Sequence, residues 1–269
     1  MKSWIDKYLS VVRMTWIQSL EYKANTIVGT FAIFSGLAIE FLIWKQVFQT
    51  QGISEIRGFT FNGLMAYIFL CMIVGQLKSS WATSIEMIDS IRTGELNKYL
   101  IRPISFFTYH FMMFIGHNSL FYMVYTTLLI LFPVMLPGWV FPTLLHIVGF
   151  ITALLISIYL SYSIYFCMVC CAFWFGEVRS LVIAYNIANV VLSGQIIPLK
   201  LFPETARNII YMTPLQFLVD FPVSIATAQL PIQAWLPKML LALGWCLVMT
   251  LAGRAIYKSG IKVYGGFGA

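Results

Sequence analysis

Two carboxylates are the residues of this chain most suited to acid–base chemistry. Glu86 and Asp89 lie three positions apart, a spacing that allows both to share one side of a helix. They stand in a charged stretch, where such a pair more often forms a solvated or docking surface than a catalytic site. The sequence contains no phosphate-binding GxxxxGK[ST] loop, no HExxH and no GxSxG nucleophile elbow. We therefore assign no catalytic residue, and we expect the chain not to hydrolyse ATP by itself.

The two carboxylates belong to one long polar passage, residues 78–105, which lies between strongly apolar blocks. Its seven charged side chains are Lys78, Glu86, Asp89, Arg92, Glu95, Lys98 and Arg102. Ile85, Ile88 and Ile91 recur at helical spacing, and Gly94 can end that helix in a left-handed conformation. The pattern predicts a short helix that exposes isoleucine and methionine beside charges, which suits a groove on another protein.

Tryptophan and arginine side chains indicate where the chain meets the membrane surface. Residues 1–23 predict an amphipathic helix lying in the interface, with Trp4 and Trp16 on an apolar stripe of every fourth residue. A solvated arm that packs on a partner is the alternative. Later in the chain, Arg102 is expected at the level of the lipid phosphates, and Pro103 is expected to begin a new element.

Composition places the chain in a membrane. Of its 269 residues 60% are hydrophobic and 10% are charged, whereas a soluble domain carries about 25% charged residues. The five cysteines, which lie in apolar surroundings, have neither the pairing nor the histidines of a zinc site, so we expect no metal and no bound cofactor. No cleavable signal is apparent, and the first span is expected to act as its own signal.

The apolar blocks predict an all-α polytopic membrane protein with a single transmembrane domain over residues 1–269. The predicted six spans cover about 26–47, 59–77, 106–136, 141–175, 180–197 and 236–257. Residues 199–235 are broken by four prolines, and a full crossing there would move the last basic residues to the outer side. We expect a re-entrant or interfacial helical pair instead, shielded from lipid by protein.

The basic residues fix the predicted orientation, because lysine and arginine accumulate in cytoplasmic loops. With six spans and both termini in the cytoplasm, five basic residues fall outside: Lys45, Arg57, Lys200, Arg207 and Lys238. Twelve fall inside: Lys2, Lys7, Arg13, Lys23, Lys78, Arg92, Lys98, Arg102, Arg179, Arg254, Lys258 and Lys262. The net charge of +7 is therefore topological, and we expect no nucleic acid partner.

Three polar residues inside predicted spans are candidates for a transport pathway. Glu40 is an ionisable group in the first span, and such groups face a protein interior, a cavity or the interface. His117 and Asn118 lie in a small, polar patch of the third span, which also suits helix packing. Because Lys45 follows Glu40 closely, Glu40 also fits a position near the outer surface.

Three short motifs resemble the permease subunits of type-2 ABC exporters. They are Glu21-Tyr22-Lys23-Ala24-Asn25 before the first span, Gly94-Glu95-Leu96-Asn97-Lys98-Tyr99-Leu100-Ile101-Arg102-Pro103 after the second, and Ser193-Gly194 through Ile197-Pro198 and Phe202-Pro203 after the fifth. Their order along the chain and the predicted spans extend the resemblance over nearly the whole chain.

The resemblance implies an export permease in the inner membrane of a bacterium. It implies a dimer with a second copy or a related permease, and two docked cytoplasmic ATPase subunits that hold the ATP and magnesium. The loop between spans two and three supplies the coupling helix in such families, which here falls at about residues 83–95. The coupling residues would then be Ile85, Glu86, Ile88, Asp89, Arg92, Gly94 and Glu95.

Two other functions stay open at the level of the residues. An ion-driven secondary transporter would use Glu40 and the patch around His110 and His117, although the sequence shows no internal repeat of the kind such transporters carry. A membrane scaffold or assembly factor would move nothing. The matched motifs define no substrate.

Overall fold

A computed structural model describes residues 4–21, 23–102, 104–135 and 141–265. Its helices are α1 (Trp4–Glu21), α2 (Lys23–Gln51), α3 (Phe61–Leu77), α4 (Trp81–Arg92), α5 (Asn97–Leu100), α6 (Phe106–His117), α7 (Ser119–Met135), α8 (Leu144–Cys170), α9 (Ala172–Phe175), α10 (Arg179–Leu192), α11 (Glu204–Tyr211), α12 (Asp220–Ala226) and α13 (Trp235–Val263). A small antiparallel hairpin pairs β1 (Glu55–Ile56) with β2 (Phe59–Thr60). The predicted all-α membrane fold is confirmed.

Four helical stretches are long and apolar enough to cross a membrane: Thr26–Thr50, Phe61–Arg92, Leu144–Phe175 and Ile232–Val263. A fifth candidate is the bent pair of α6 and α7, whose two halves meet at 52°. The helical run that contains the predicted second span continues past residue 77, because α4 continues the line of α3.

The predicted count of six spans is not confirmed. The apolar helix in the place of the fifth predicted span, α10, has 14 residues and is about 21 Å long, short of a hydrocarbon core of about 30 Å. The chain nevertheless passes between the two ends of the bundle here. Arg179 pairs with Asp89 at one end, and the carbonyl oxygen of Lys200 accepts a hydrogen bond from Arg57 at the other.

We name the two ends of the bundle by their contents. The hairpin end carries β1 and β2, and the side chain of Arg57 ties it to the carbonyl oxygens of Lys200 and Phe202 at 3.1 and 2.8 Å. The charged end carries the last turn of α4 and the residues that join α9 to α10. Neither name implies a side of the membrane.

The segment between α10 and α13 enters and leaves the bundle at the hairpin end. Lys200 Nζ donates hydrogen bonds to the carbonyl and side-chain oxygens of Gln229, which joins the two limbs. Between them, every residue of α12 is buried, and α12 packs on α8 and α3. The expected helical pair corresponds to α11 and α12, and its re-entrant or interfacial position in the membrane stays a prediction.

The Ser193-Gly194 motif binds this segment at the buried residue Asp220. Asp220 donates its backbone N–H to the Ser193 carbonyl, and its carboxylate accepts a hydrogen bond from Tyr67 at 2.7 Å. Gly194 has φ of +81°, a conformation that favours glycine, and a Cβ there would crowd Asp220 and Leu199. The motif therefore joins the end of α10 to α3 and α12.

Helix α8 organises the interior. It packs along α13, against α12 near the hairpin end, and against α4 near the charged end. Two apolar clusters result, one around Tyr67, Leu70 and Phe221 and the other around Met87, Tyr162 and Phe166. Because α8 contributes to both clusters, a shift of α4 against α8 would change the side-chain packing in both of them.

Helix α1 packs on α6, with Tyr8 and Thr15 buried. Ser19 Oγ donates a hydrogen bond to the carbonyl oxygen of His117 at 3.1 Å. This carbonyl lies at the end of α6, where it has no hydrogen-bond donor within the helix. Trp16, which belongs to the predicted stripe of every fourth residue, is exposed and lies outside the side of α1 that packs on α6. The side of α1 that faces the protein instead follows 3.6 residues per turn. The interface position of Trp4 and Trp16 stays a prediction.

We predict that Gly116→Ala destabilises the packing of α1 on α6. A Cβ at position 116 would lie 1.8 Å from Thr15 Oγ1 and 2.9 Å from the Val12 carbonyl oxygen. Overpacking of this kind costs about 1–3 kcal/mol. The midpoint of thermal unfolding in detergent should fall, whereas Gly244→Ala, which meets open space on α13, should leave it within error. Equal midpoints for the two variants would contradict this packing.

Candidate coupling site

The helix that carries the predicted coupling residues grows directly out of a membrane span. α3 ends at Leu77 and α4 begins at Trp81, with a break at Lys78–Ser80. Two carbonyl oxygens of the break are bonded by other helices: Ser161 Oγ on α8 donates to Lys78 O at 2.9 Å, and Asn118 Nδ2 approaches Ser79 O at 3.4 Å. Side chains from two other parts of the chain thus form hydrogen bonds with the backbone of the break.

The apolar side of α4 faces inward. Met87 and Ile88 are fully buried, Ile91 is nearly so, and the hydroxyl of Tyr162 on α8 lies 3.9 Å from the Met87 sulfur. The prediction that α4 exposes isoleucine and methionine is wrong, because α8, α9 and α10 already cover that side. Ile85 is half-buried. These side chains couple α4 to its own bundle.

The charged side of α4 is tied to the residues that join α9 to α10. Asp89 pairs with Arg179 at 2.5 Å, and Arg92 pairs with Glu177. Arg179 Nε also lies 3.7 Å from a Glu177 oxygen, so the four charges form one alternating cluster. Glu86 stands outside this cluster and is exposed.

Hydrogen bonding stabilises the charged form of Glu177 in this cluster. The backbone N–H of Arg179 donates to Glu177 Oε1 at 3.0 Å. This bond, followed by the charges of Arg179 and Arg92, holds the pKa of Glu177 below its usual range. A lowered pKa means that the contribution of the ionised group is present at neutral pH and is lost as the pH falls through that pKa. Glu177 is therefore ionised at neutral pH.

The turn after α4 follows the sequence prediction. Gly94 has φ of +85°, which confirms its left-handed position after the helix end. Lys98 then pairs with Glu95 at 2.6 Å, and this hydrogen bond, with the charge of Lys98, lowers the pKa of Glu95. Arg102 is exposed, and Pro103 lies outside the described residues.

Large apolar side chains are exposed beside these charges. Ile101 is 81% exposed and Phe175 is 76% exposed, and Leu100 and Trp174 are exposed as well. They belong to the end of α5, the turn after it and α9, so they stand in the segments that flank α4 on the charged end. The exposed apolar groups that the sequence assigned to α4 are found in these neighbouring segments.

The three pathway candidates fall in two places. His117 and Asn118 line a cavity of about 490 Å³ at the bend between α6 and α7. The Asn118 amide is occupied by backbone, donating to Phe114 O at 3.0 Å besides its approach to Ser79. Glu40 lies apart on α2, where it accepts a hydrogen bond from Trp44 at 3.1 Å. The structure thus does not join Glu40 to the other two.

Glu177 and Arg179 were not among the residues selected from the sequence. They follow a long apolar block, and Arg179 entered only the count of basic residues that sets the predicted orientation. The available signal was topological, since the predicted orientation puts residues 78–105 and 176–179 on the same side. Opposite charges in two loops on one side could have been paired as a hypothesis.

These observations define a multi-pass, all-α membrane protein with a charged helix built onto one of its spans. The family model described as ABC-2 family transporter protein matches residues 34–268, and the chain belongs to that family. It is therefore a permease component of an ABC transporter, in a family whose membrane domain lacks the nucleotide-binding domain and generally works with ATPase subunits. None of the curated proteins searched matches the chain.

We predict a measurable but small coupling between Asp89 and Arg179. Because both side chains are about 40% exposed, the pair is worth about 0.2–1 kcal/mol after solvent screening. A double-mutant cycle with Asp89→Asn and Arg179→Gln, followed by thermal unfolding in detergent, should return a coupling energy in this range. The coupling should shrink in 1 M salt, where the Debye length is about 3 Å. Additive single effects at low salt would show that the pair is not formed in solution.

Proposed function

We propose that the chain is the permease subunit of an ATP-driven ABC exporter and that α4 is its coupling helix. The observation that carries this proposal is the continuity of α3 with α4. A helical run over Phe61–Arg92 extends from the hairpin end to the charge cluster at the other end. Force applied to the end of α4 would reach the membrane span through one element.

The docking surface for the ATPase is proposed to lie on the charged end. Glu86 and Glu95 supply acidic groups there, and Ile101 and Phe175 supply exposed apolar ones. Apolar anchors surrounded by charges are typical of specific protein interfaces. ATP and magnesium would bind to the cytoplasmic ATPase, and the permease would bind neither.

Transmission would depend on the buried side of α4. Met87 and Ile88 pack against α8, and the cluster of Asp89, Arg92, Glu177 and Arg179 joins α4 to α10. Packed interfaces of this kind switch between discrete arrangements and deform little in between. A push on α4 would thus shift α3, α8 and α10 together and open a path at the contact with a second permease.

The same proposal fixes the orientation. The charged end would face the cytoplasm and the hairpin end the outside, with both termini in the cytoplasm of a bacterial cell and the spans in the inner membrane. Supporting this, Arg92, Lys98, Arg102 and Arg179 gather at the charged end. Lipid or the second permease would cover α2, whose apolar side chains such as Ile27 and Phe31 are exposed.

We predict that Ile101→Asp weakens ATPase binding by tenfold or more. A buried isoleucine contributes about 1.5–3 kcal/mol, and each 1.4 kcal/mol is a factor of ten in affinity. The tagged chain, purified from its native host in mild detergent, should lose most of its co-purified ATPase and of the associated ATP hydrolysis. Ile209→Asp on α11, a similarly exposed residue of the segment that joins the hairpin end, is the matched control and should retain both.

Equal recovery of the ATPase with the two variants would contradict a docking surface on the charged end. Recovery of an active transporter that moves its substrate in vesicles without ATP would contradict the ATP-driven mechanism itself.

A further inference from the structure

A cavity of about 510 Å³ at the hairpin end is lined by four charged side chains: Arg57, Lys200, Glu204 and Arg207. Three of them are cations and one is a carboxylate, so the lining carries a formal net charge of +2. The ion pairs found among the described residues lie at the charged end of the bundle, and none of them includes these four side chains. The excess of positive charge makes the cavity suited to an anion.

The guanidinium of Arg57 is fixed on one edge and free on the other. Its Nη1 donates both hydrogens, to the carbonyl oxygens of Lys200 and Phe202. A guanidinium has five N–H donors, and within the described residues nothing accepts a bond from those on Nε and Nη2. Two parallel N–H donors on one guanidinium edge match two oxygens of a phosphate or a carboxylate.

The backbone that presents Arg57 is in an unfavourable conformation. Arg57 and Gly58 form the two-residue turn between β1 and β2, with φ of +47° and +88°. Such a turn favours asparagine followed by glycine, because both residues need a positive φ. An arginine, which carries a Cβ, is disfavoured there. Backbone strain of this kind is concentrated at ligand sites, and here it presents a long cation to the cavity.

The ammonium group of Lys200 is also held in place. Its Nζ donates to the carbonyl oxygen of Gln229 at 2.9 Å and to the side-chain oxygen of Gln229 at 2.7 Å, and it lies 5.8 Å from the centre of the Phe59 ring. An ammonium group has three N–H donors, so one remains. Because Arg57 and Lys200 are fixed by the protein, a ligand that binds them does not have to order them.

The cavity lies next to the start of a membrane span. Arg57 stands four residues before Phe61, where the apolar helical run Phe61–Arg92 begins. A span that enters the hydrocarbon core at Phe61 brings Arg57 to the headgroup region, since this region adjoins the core. Phosphate groups of lipids lie at the same level and attract lysine and arginine.

We propose that this cavity is a binding site for a phosphate group, carried by an anionic phospholipid or present as the free ion. The Nε and Nη2 donors of Arg57, the remaining N–H of Lys200 and the guanidinium of Arg207 would bind the phosphate oxygens. Glu204 would oppose binding, because its carboxylate repels the phosphate. The site lies at the opposite end from the proposed ATPase docking surface and requires no nucleotide.

The test measures binding to the purified chain in neutral detergent by native mass spectrometry, with added phosphatidylglycerol, phosphatidylcholine of the same acyl chains, or inorganic phosphate. The wild type should bind phosphatidylglycerol more tightly than phosphatidylcholine, which has no net charge. Arg207→Gln should weaken this binding by about tenfold or more, since it removes hydrogen bonds between charged groups. Lys45→Gln, which removes an exposed cation of α2 outside the cavity, is the matched control and should bind as the wild type does.

Glu204→Gln is expected to change the affinity in the opposite direction. It removes the one negative charge of the cavity and should tighten the binding of phosphatidylglycerol by about threefold or more. A misfolded variant would not give this gain, so it tests the site even when Arg207→Gln fails to fold.

The inorganic phosphate arm separates the two sources of the phosphate group. Binding of phosphatidylglycerol that excess inorganic phosphate leaves unchanged assigns the site to the lipid, and binding of inorganic phosphate with the same order of variants assigns it to the free ion. Binding of neither, or of phosphatidylcholine as tightly as phosphatidylglycerol, would overturn the proposal. Equal losses in Arg207→Gln and Lys45→Gln, or no gain in Glu204→Gln, would overturn it as well.

Discussion

Backbone groups inside an apolar bundle must be hydrogen-bonded there, and this constraint shapes the whole structure. Helices satisfy it along their length, but each break frees carbonyl oxygens that lipid cannot bond. Here the breaks are closed by side chains from neighbouring helices. Ser161 bonds the end of α3, Asn118 bonds within its own bend and reaches the break of α3 and α4, and Ser19 bonds the end of α6. The helices are held together at the points where they are interrupted.

The arrangement of these bonds explains how a small charged helix can act on a large apolar one. α4 is joined to α3 through the break at Lys78–Ser80, where Ser161 and Asn118 bond two carbonyl oxygens, and it is covered by α8 and α10 on its apolar side. At its C-terminal end, α4 is joined to the residues between α9 and α10 by the ion pairs Asp89–Arg179 and Arg92–Glu177. Movement of α4 relative to α8 therefore requires that packing and ion pairs change together.

Local sequence patterns predicted those features that depend on one segment alone. The membrane class followed from composition, and Gly94 followed from its position after an isoleucine pattern. The burial of Met87 and Ile88 could not be predicted in this way, because periodicity shows which residues share a face and not what covers that face. The form of the fifth predicted span could not be predicted in this way either: α10 is short, and Ser193–Pro198 follows it with irregular backbone bonded to α12 and α3.

Contacts between distant segments account for the rest. The partners of Asp89 and Arg92 lie 90 and 85 positions further along the chain, and no local pattern connects them. Likewise, Lys78 is the first residue of the polar passage in the sequence, whereas in the structure it is buried at the end of α3. In each case the chemistry of the residue was visible in the sequence, and its environment was set by a helix far away in the chain.

The most direct test of the coupling account is photo-crosslinking in cells. A photoreactive amino acid placed at Leu100, on the charged end, should form a covalent adduct with an ABC ATPase subunit, and the yield should change when ATP hydrolysis is blocked. The same amino acid at Met212, which is exposed in the segment that joins the hairpin end, should give no such adduct. An ATPase adduct from Met212 and none from Leu100 would contradict the account.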